Sequence, residues 1–298
     1  MIIDSRAVGT QLKPHMNRVN WRMCTNYAAA VRDANPRYLD DLSSEGIVAP
    51  PMLAVALTWP VSASLGSFLE NRHLPQEVFK TQVHYSERLV FHRLLKPGDE
   101  LEIRGQVAAM LPHRAGTHTV IRYDARDAQG ELVFSEFTGA MLRGVELSDP
   151  GRSLAPPQGP PATPALPGAS LPHWEAEIAV DPLASYYYDG CADIVFPIHT
   201  SPAFATMVGL PGVILQGTAT MAMAARELVD REAGGEPRLL RELEARFTGM
   251  VLPGQTIRVC LLGDRDTPRG RELFFEVRVP EGPPAISQGY ALVAPPLV

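Results

Sequence analysis

The stretch "DIVFPIHTSPAFA", residues 193–205, holds two side chains that can move protons within an otherwise uncharged run. Asp193 and His199 lie six residues apart, on either side of Phe196 and Pro197. Carboxylate and imidazole groups often serve as general acids and bases, and such catalysis accelerates a reaction by ~10²–10⁴-fold. A short loop bent by Pro197 predicts that Asp193 and His199 lie close enough to share one water molecule.

Two predicted helix starts lie beside this pair. In "TSPAF", residues 200–204, Ser201 suits the N-cap position and Pro202 suits the first helical position. His199 would then lie just outside the positive end of a helix, which favours the neutral imidazole that can accept a proton. A second helix should begin at Gly217, where a glycine permits close substrate approach and offers a free backbone N–H to a carbonyl oxygen.

The elements that must position these residues occur twice along the chain. Asp33 opens "DANPRY" much as Asp193 opens "DIVFPIH", and a tyrosine, Tyr27 or Tyr187, precedes each aspartate by six residues. An uncharged run follows in each half, and a Phe-to-Pro-Gly segment of identical spacing then occurs at 91–98 and at 247–254. Three matched landmarks in one order predict two copies of one structural unit.

Each copy predicts the same architecture. Period-two alternation after each Pro-Gly predicts antiparallel strands, and the preceding uncharged runs, 46–69 and 194–225, predict buried helices because Pro and Gly interrupt them too often for membrane spans. The fold class is therefore α+β, with one central helix against one curved sheet in each half. We expect an N-terminal unit at 1–146, a Pro-rich linker at 147–172 and a C-terminal unit at 173–298.

The Tyr, Asp and Pro-Ile-His residues, followed by "GLPGVILQGTATMA", resemble the MaoC-like, (R)-specific enoyl-CoA hydratase family. The usual string of that family is Gly-Asp-x-Asn-Pro-Leu-His, with a later His-Gly at the start of the central helix. The resemblance spans almost the whole chain, because the first half looks like a worn copy of the same unit. It implies a double hot-dog fold, which consists of two tandem hot-dog units.

The resemblance also implies an activity and a site. The activity is hydration of a trans-2-enoyl thioester to a (3R)-3-hydroxyacyl thioester, or the reverse dehydration, without a metal or other cofactor. Asp193 and His199 would activate the water and return a proton to C2, while the Gly217 N–H stabilises the enolate-like oxygen, an effect worth about 2.7–4 kcal/mol. The expected substrate contacts are Phe196, Pro197, Gln216 and Tyr188.

The sequence departs from the family string at several places. His199 follows Asp193 by six residues where the family has five. Phe196 takes the place of the family's Asn, and Gln216 takes the place of its His. In the first half, Tyr38 stands where the histidine should be, which predicts a non-catalytic first half that shapes the acyl pocket.

Bulk properties restrict the other function classes. The net charge of −6 and the lack of a long basic run argue against nucleic acid as a partner. The histidines lack metal-ligand spacing, and motifs of serine hydrolases, nucleotide hydrolases and Rossmann dehydrogenases are missing. The first residues do not resemble a signal peptide, and three widely spaced cysteines favour a reducing compartment, so we expect a cytoplasmic protein.

Two alternatives remain open at the level of sequence. A hot-dog thioesterase would hydrolyse the thioester with a carboxylate and would not need the paired histidine. A non-catalytic acyl-thioester-binding or partner subunit is suggested by Phe196 and by the altered spacing. Under each interpretation the partner is a thioester of CoA or of acyl carrier protein, without membrane insertion, and a homodimer is possible.

Overall fold

A computed structural model of the chain describes residues 1–71, 74–154 and 171–295. Most of the predicted linker, 155–170, lies outside the described residues, so the linker stays a prediction. Its beginning is fixed to the N-terminal half, because the N–H of Ser148 bonds to Ile3 O at 2.8 Å and that of Leu154 to Ala108 O at 2.9 Å.

The two halves repeat a common order of elements. The N-terminal half contains β1 (Ile2–Ile3), β2 (His15–Arg18), α1 (Trp21–Ala30), α2 (Pro36–Leu39), α3 (Leu53–Ala63), α4 (Leu65–Phe68), β3 (Gln82–Phe91), β4 (Glu100–His113), β5 (Gly116–Asp127), β6 (Leu132–Arg143), β7 (Glu146–Leu147) and β8 (Arg152–Ser153). The C-terminal half contains β9 (Trp174–Ala179), α5 (Ala184–Ala192), α6 (Pro202–Met207), α7 (Gly217–Glu232), β10 (Leu240–Phe247), β11 (Thr256–Thr267), β12 (Gly270–Arg278) and β13 (Ile286–Val293). The predicted helices and strands of both copies are therefore present.

One antiparallel sheet runs through both halves, in the strand order β2-β4-β5-β6-β3-β10-β13-β12-β11-β9. The halves meet where β3 pairs with β10, with Leu89 opposite Leu243. Both leucines are fully buried, and apolar burial of this kind is the main force that holds two sheets together. The predicted α+β architecture is confirmed, and the structure adds that the two predicted sheets are fused.

The central helices α3 and α7 form the core of each half. Apolar and small residues cover most of α7, and Met221, Ala224 and Leu228 are fully buried. The charged residues of α7 begin only at Arg226, so α3 and the first part of α7 can be buried on nearly all sides, which explains why the runs 46–69 and 194–225 lack charge. Among the described helices, none is long and apolar enough to cross a membrane.

A pair of tyrosines joins α1 to α5 on the axis that relates the two halves. The hydroxyl oxygens of Tyr27 and Tyr188 lie 2.7 Å apart, and both side chains are fully buried. Tyr27 therefore corresponds to Tyr188, and the assumed match with the exposed Tyr187 is wrong. Pro36 follows Tyr27 by nine positions, and Pro197 follows Tyr188 by nine positions, so the second copy contains no inserted residue; its aspartate is shifted instead.

The tyrosine pair should couple the stabilities of the two halves. Tyr188→Phe leaves the buried hydroxyl of Tyr27 without its partner and should cost about 1–3 kcal/mol in the free energy of unfolding. Tyr27→Phe should cost less, because the Tyr188 hydroxyl keeps Thr218 as a hydrogen-bond partner. The double variant removes both hydroxyls and should cost clearly less than the sum. Urea unfolding checks this, with the exposed Tyr187→Phe as a nearly neutral control. Strict additivity of the two substitutions would contradict the coupling.

Candidate active site

The loop that follows α5 sets the position of the predicted acid. Asp193 ends the helix in the left-handed region, at φ +56°, where Asp and Asn are tolerated better than most residues. Arg32 adopts the same conformation after α1, at φ +53°. Asp193 therefore corresponds to Arg32, and the buried Ile194 corresponds to the buried Asp33. The C-terminal copy has an isoleucine where the N-terminal copy has the buried aspartate.

This shift changes where the predicted acid lies. The Asp193 residue is exposed, and among the described residues no hydrogen bond joins it to His199. A water shared by Asp193 and His199 stays a prediction, although the left-handed cap places this aspartate one position earlier than Asp33 of the other half.

A second carboxyl group lies one helical turn earlier. Asp189 is half-buried, and its Oδ1 atom is buried without a hydrogen-bond partner in the described part of the chain. Burial and the nearby charge of Asp193 raise the pKa of Asp189. The sequence analysis missed this residue because the family string places no acid at its position.

His199 has the geometry of a neutral base. It ends a 3₁₀ turn, Pro197–His199, and its Nδ1 atom lies 2.8 Å from the backbone carbonyl of Ile214. A carbonyl can only accept, so Nδ1 carries the proton and Nε2 keeps a free lone pair. Burial lowers the pKa of His199 to about 4, which keeps the ring neutral near pH 7. The cause that favours the neutral ring here is burial rather than the helix end.

The predicted helix starts near His199 are also confirmed. Ser201 caps α6, and its Oγ atom accepts a hydrogen bond of 3.3 Å from the N–H of Phe204. Pro202 is the first helical residue. The cap fixes the direction in which the chain leaves His199.

Gly217 begins α7, as predicted. The N–H groups in the first turn of a helix have no partner within the helix, so that of Gly217 is available to a ligand. The ring of Phe247 covers the residue, and a Cβ atom at this position would lie 3.0 Å from its Cδ1 atom. The structure thus combines a free donor with a position that has little room for a side chain.

Gln216 anchors the start of α7 to α5. Its side chain is buried, and the Nε2 atom donates to the carbonyl of Ser185 at 3.2 Å. The Oε1 atom is buried and finds no partner among the residues described. The predicted substrate contact of Gln216 remains a prediction, since this unpaired oxygen could accept from a ligand or a water molecule.

The remaining predicted contacts divide between the surface and the core. Phe196 and Pro197 are exposed, and the ring centroid of Phe196 lies 6.4 Å from that of His199. Both residues can therefore form the rim of a site at His199. Tyr188 has no accessible surface, so its predicted contact with substrate is wrong; it packs against Tyr27 in the core.

Backbone hydrogen bonds align the first half with the second. The N–H of Val48 bonds to Arg37 O, and the N–H of Ile214 bonds in the same way to Ile198 O. In each half, the N–H of the following residue bonds to the carbonyl oxygen of the residue two positions before the Pro-Gly. Pro51 thus corresponds to Gly217, and Tyr38 corresponds to His199. Proline has no N–H to donate.

The corresponding site in the first half is nearly filled. A cavity of about 10 Å³ remains there, lined by groups that include Tyr38, Pro51 and Asp33. Burial raises the pKa of Asp33 to about 6. Without the histidine and the donor N–H, this half lacks both groups assigned to the C-terminal site, which supports the expectation of a degenerate N-terminal copy.

One titratable residue close to Gly217 had no role in the sequence analysis. The ring centroid of His84, on β3, lies 4.6 Å from that of Phe247. His84 approaches from the other half of the chain across the junction of β3 with β10, so no local spacing in the sequence could reveal it. Within the described residues, no group of three or more His, Cys, Asp or Glu side chains could hold a metal ion.

Comparisons with known families agree with the two-copy architecture. Residues 174–279 match the family described as "MaoC like domain", and residues 6–136 match "FAS1-like, dehydratase domain region". The crystal structure of a MaoC-like dehydratase from Phytophthora capsici superposes with a TM-score of 0.82 at 19% identity and covers 97% of both chains. A Mycobacterium tuberculosis protein described as having a double hot-dog fold covers 96% of both chains, at a TM-score of 0.60 and 17% identity. The double hot-dog fold is thereby confirmed.

Curated relatives include enzymes of acyl thioesters. A fatty acid synthase beta subunit from Emericella nidulans is 38% identical over 86 residues, which are 28% of this chain and 5% of that protein. Enoyl-CoA hydratase ChsH3 of Mycobacterium tuberculosis is 27% identical over 202 residues, 62% of this chain and 68% of the relative. The chain spans only a small part of the large relatives, such as the synthase subunit. The chain therefore carries a MaoC-like domain in its C-terminal half and a FAS1-like dehydratase region in its N-terminal half.

Proposed function

We propose that this protein adds water to a trans-2-enoyl thioester to form a (3R)-3-hydroxyacyl thioester, or catalyses the reverse dehydration. The observation that carries the proposal is the neutral His199, whose Nδ1 atom is fixed by Ile214 O while Nε2 has no hydrogen-bond partner in the described part of the chain. Three residues beyond Ile214, Gly217 offers the first N–H of a long helix. Relatives named as an enoyl-CoA hydratase and a 3-hydroxyacyl-thioester dehydratase support the same chemistry.

The proposed reaction needs one base and one oxyanion donor. Nε2 of His199 takes a proton from water, and the water oxygen forms a bond to C3. The electrons of the C2–C3 double bond move toward the thioester oxygen, which the Gly217 N–H stabilises as an enolate. The imidazolium then returns the proton to C2. Because burial lowers the pKa of His199 to about 4, its protonated form is a strong enough acid to release the proton promptly.

This assignment revises the role expected for Asp193. The carboxylate is exposed and is not hydrogen-bonded to His199, so proton transfer falls to the histidine. Asp193 and the half-buried Asp189 lie one turn apart, where their charge can influence the rim of the site. The same exposure weighs against the thioesterase alternative, which depends on a carboxylate at the reacting carbon.

Substitutions should distinguish the catalytic role of His199 from the roles of the two aspartates. His199→Ala should lower kcat by roughly 10²–10⁴-fold, the usual contribution of a general acid–base group. Asp193→Asn and Asp189→Asn should each have a much smaller effect. Loss of the enoyl absorbance of crotonyl-CoA and of a longer trans-2-enoyl-CoA measures turnover. An equally large loss in Asp193→Asn would restore the paired acid and base predicted from sequence.

On the acid side of the pH profile, kcat/KM should begin to fall only at an unusually low pH. A base must be unprotonated, and a lowered pKa keeps His199 unprotonated down to about pH 4. The value of kcat/KM should therefore persist as pH falls through about 6.5, where an ordinary histidine becomes charged. The acid limb should appear near pH 4, with circular dichroism to confirm that the protein is still folded. An acid limb at about 6.5 would show that the catalytic base is not a buried histidine.

The backbone donor at Gly217 can be removed by introducing proline, the residue that the first half has at the corresponding position. Gly217→Pro deletes the N–H at a helical position where proline is accepted, as Pro51 shows. Gln216 is already extended, at φ −59° and ψ 134°, which suits the residue before a proline. We expect kcat to fall roughly 10²–10³-fold.

Gly217→Ala is the matched control for the proline variant. It keeps the N–H and makes the same close approach to Phe247. A clear difference in kcat between Gly217→Pro and Gly217→Ala would assign the loss to the missing donor. Equal losses in the two variants would assign it to crowding against Phe247 and would remove the oxyanion role.

The partner and compartment follow from this proposal. The substrate is proposed to be a thioester of CoA or of acyl carrier protein, and the protein is proposed to act as a monomer or a homodimer. Cys24, Cys191 and Cys260 are free thiols, which suits the cytoplasm. Several relatives are named as peroxisomal, including a Drosophila melanogaster multifunctional enzyme, so a peroxisomal location is the alternative.

A further inference from the structure

A bulge in β3 turns His84 toward Glu87. His84 and Ser86 lie opposite two consecutive residues of β6, so Tyr85 is one residue too many for a regular ladder. In a regular strand, residues three apart face opposite sides of the sheet. The bulge removes this alternation and brings His84 Nε2 to 3.0 Å from Glu87 Oε2. Bulges are common beside active sites, where they redirect a side chain.

Phe247 connects His84 to the start of α7. The ring of His84 packs against that of Phe247, which in turn covers Gly217. Desolvation lowers the pKa of His84 to about 4, and 32% of its side-chain surface is accessible, so a ligand can reach the ring. His84 and Phe247 thus bring one residue from each half of the chain to the surroundings of Gly217.

The protonation of the His84 ring follows from its partners. Nε2 lies 3.2 Å from the carbonyl of Ser86, which can only accept, so Nε2 carries the proton. In the neutral ring, Nδ1 is then an acceptor, and no described residue bonds to it. Glu87 is itself held by Thr138, whose Oγ1 atom lies 2.5 Å from Glu87 Oε2. The ring is thus fixed with one free acceptor.

The pair of His84 and Glu87 has no polar equivalent in the other half of the chain. Matching Phe91 with Phe247 places Leu240 at the position of His84 and Leu243 at that of Glu87. Both leucines are buried, and so is Glu87, whose Oε1 atom has no partner among the described residues. Burying polar groups is costly where leucine is not. The strand could hold leucines, so the histidine and glutamate are not required by the fold.

We infer that Nδ1 of His84 accepts a hydrogen bond from an N–H or O–H group of the thioester substrate, with Glu87 as the positioning residue that orients the ring. The inference rests on the proposed function for the class of ligand. Two parts of such a substrate carry suitable donors: the pantetheine arm, through its amides and its hydroxyl, and the acyl chain where it bears a hydroxyl group. His84 would then set which thioesters bind well.

Binding of saturated thioesters tests this inference without any need for turnover. The probes are hexanoyl-CoA, 6-hydroxyhexanoyl-CoA and the ethanethiol ester of hexanoic acid, which has neither amide nor hydroxyl. Dissociation constants are measured for the native protein and for His84→Leu. Loss of one neutral hydrogen bond should weaken a ligand that carries the donor by roughly 2- to 10-fold.

The pattern of losses identifies the donor. Equal weakening of both CoA esters, with the ethanethiol ester unchanged, assigns a donor in the CoA part of the ligand. Weakening of the hydroxyacyl ester alone assigns the acyl hydroxyl. No change in any ligand, or equal weakening of all three, would overturn the inference. Failure of the native protein to hydrate crotonyl-CoA would count against the proposed function and would leave this binding result standing.

Two further variants test whether the effect of His84→Leu arises from a folding defect or from a change in the strand. His84→Leu with Glu87→Leu reproduces the leucine pair of the other half and avoids leaving a buried carboxyl without its partner, so it should fold and show the same binding pattern as His84→Leu. His118→Leu is the control: His118 lies on β5 and contacts Ser86 Oγ at 3.3 Å. It should leave all three dissociation constants unchanged, and a similar loss there would reassign the effect to the strand.

Discussion

The pairing of β3 with β10 is the constraint on which the rest of the molecule depends. It makes one sheet of two and fixes the relative position of α3 and α7. Because the strands are antiparallel, the axis relating the halves passes through the junction, and each site is bordered by residues of both copies. His84 reaches the surroundings of Gly217 only through this junction.

Within this frame the backbone is repeated and the side chains are not. The loops that precede α3 and α7 make the same backbone hydrogen bonds, which hold the helix starts in equivalent places. At those places one copy has Pro51 and Tyr38, and the other has Gly217 and His199. The chemistry of the site is therefore decided by a few substitutions on a frame that tolerates both sets. The role that we propose for the N-terminal copy is to stabilise the shared fold without taking part in the reaction.

The sequence predicted the parts that depend on neighbouring residues. Ser201 and Pro202 mark a helix start through local cap chemistry, and the uncharged run from Gly217 marks the buried helix that begins there. The left-handed conformation at Asp193 was not predictable, because helix ends of this kind usually hold Gly or Asn, so an aspartate does not mark one. The role of His84 depends on a strand bulge and on a partner in the other half, and neither leaves a signal in local spacing.

The buried tyrosine pair gives the fused chain a direction that two identical chains would lack. Tyr27 and Tyr188 share one hydrogen bond, so one hydroxyl must donate while the other accepts. Tyr188 also has Thr218 beside it, whereas the equivalent position near Tyr27 is Met52, which has no hydroxyl. In a symmetric dimer the two proton arrangements would be equally populated. Here the threonine makes the two proton arrangements unequal. The approximate symmetry that relates the two halves therefore holds for the fold but not for the electrostatics of the tyrosine pair.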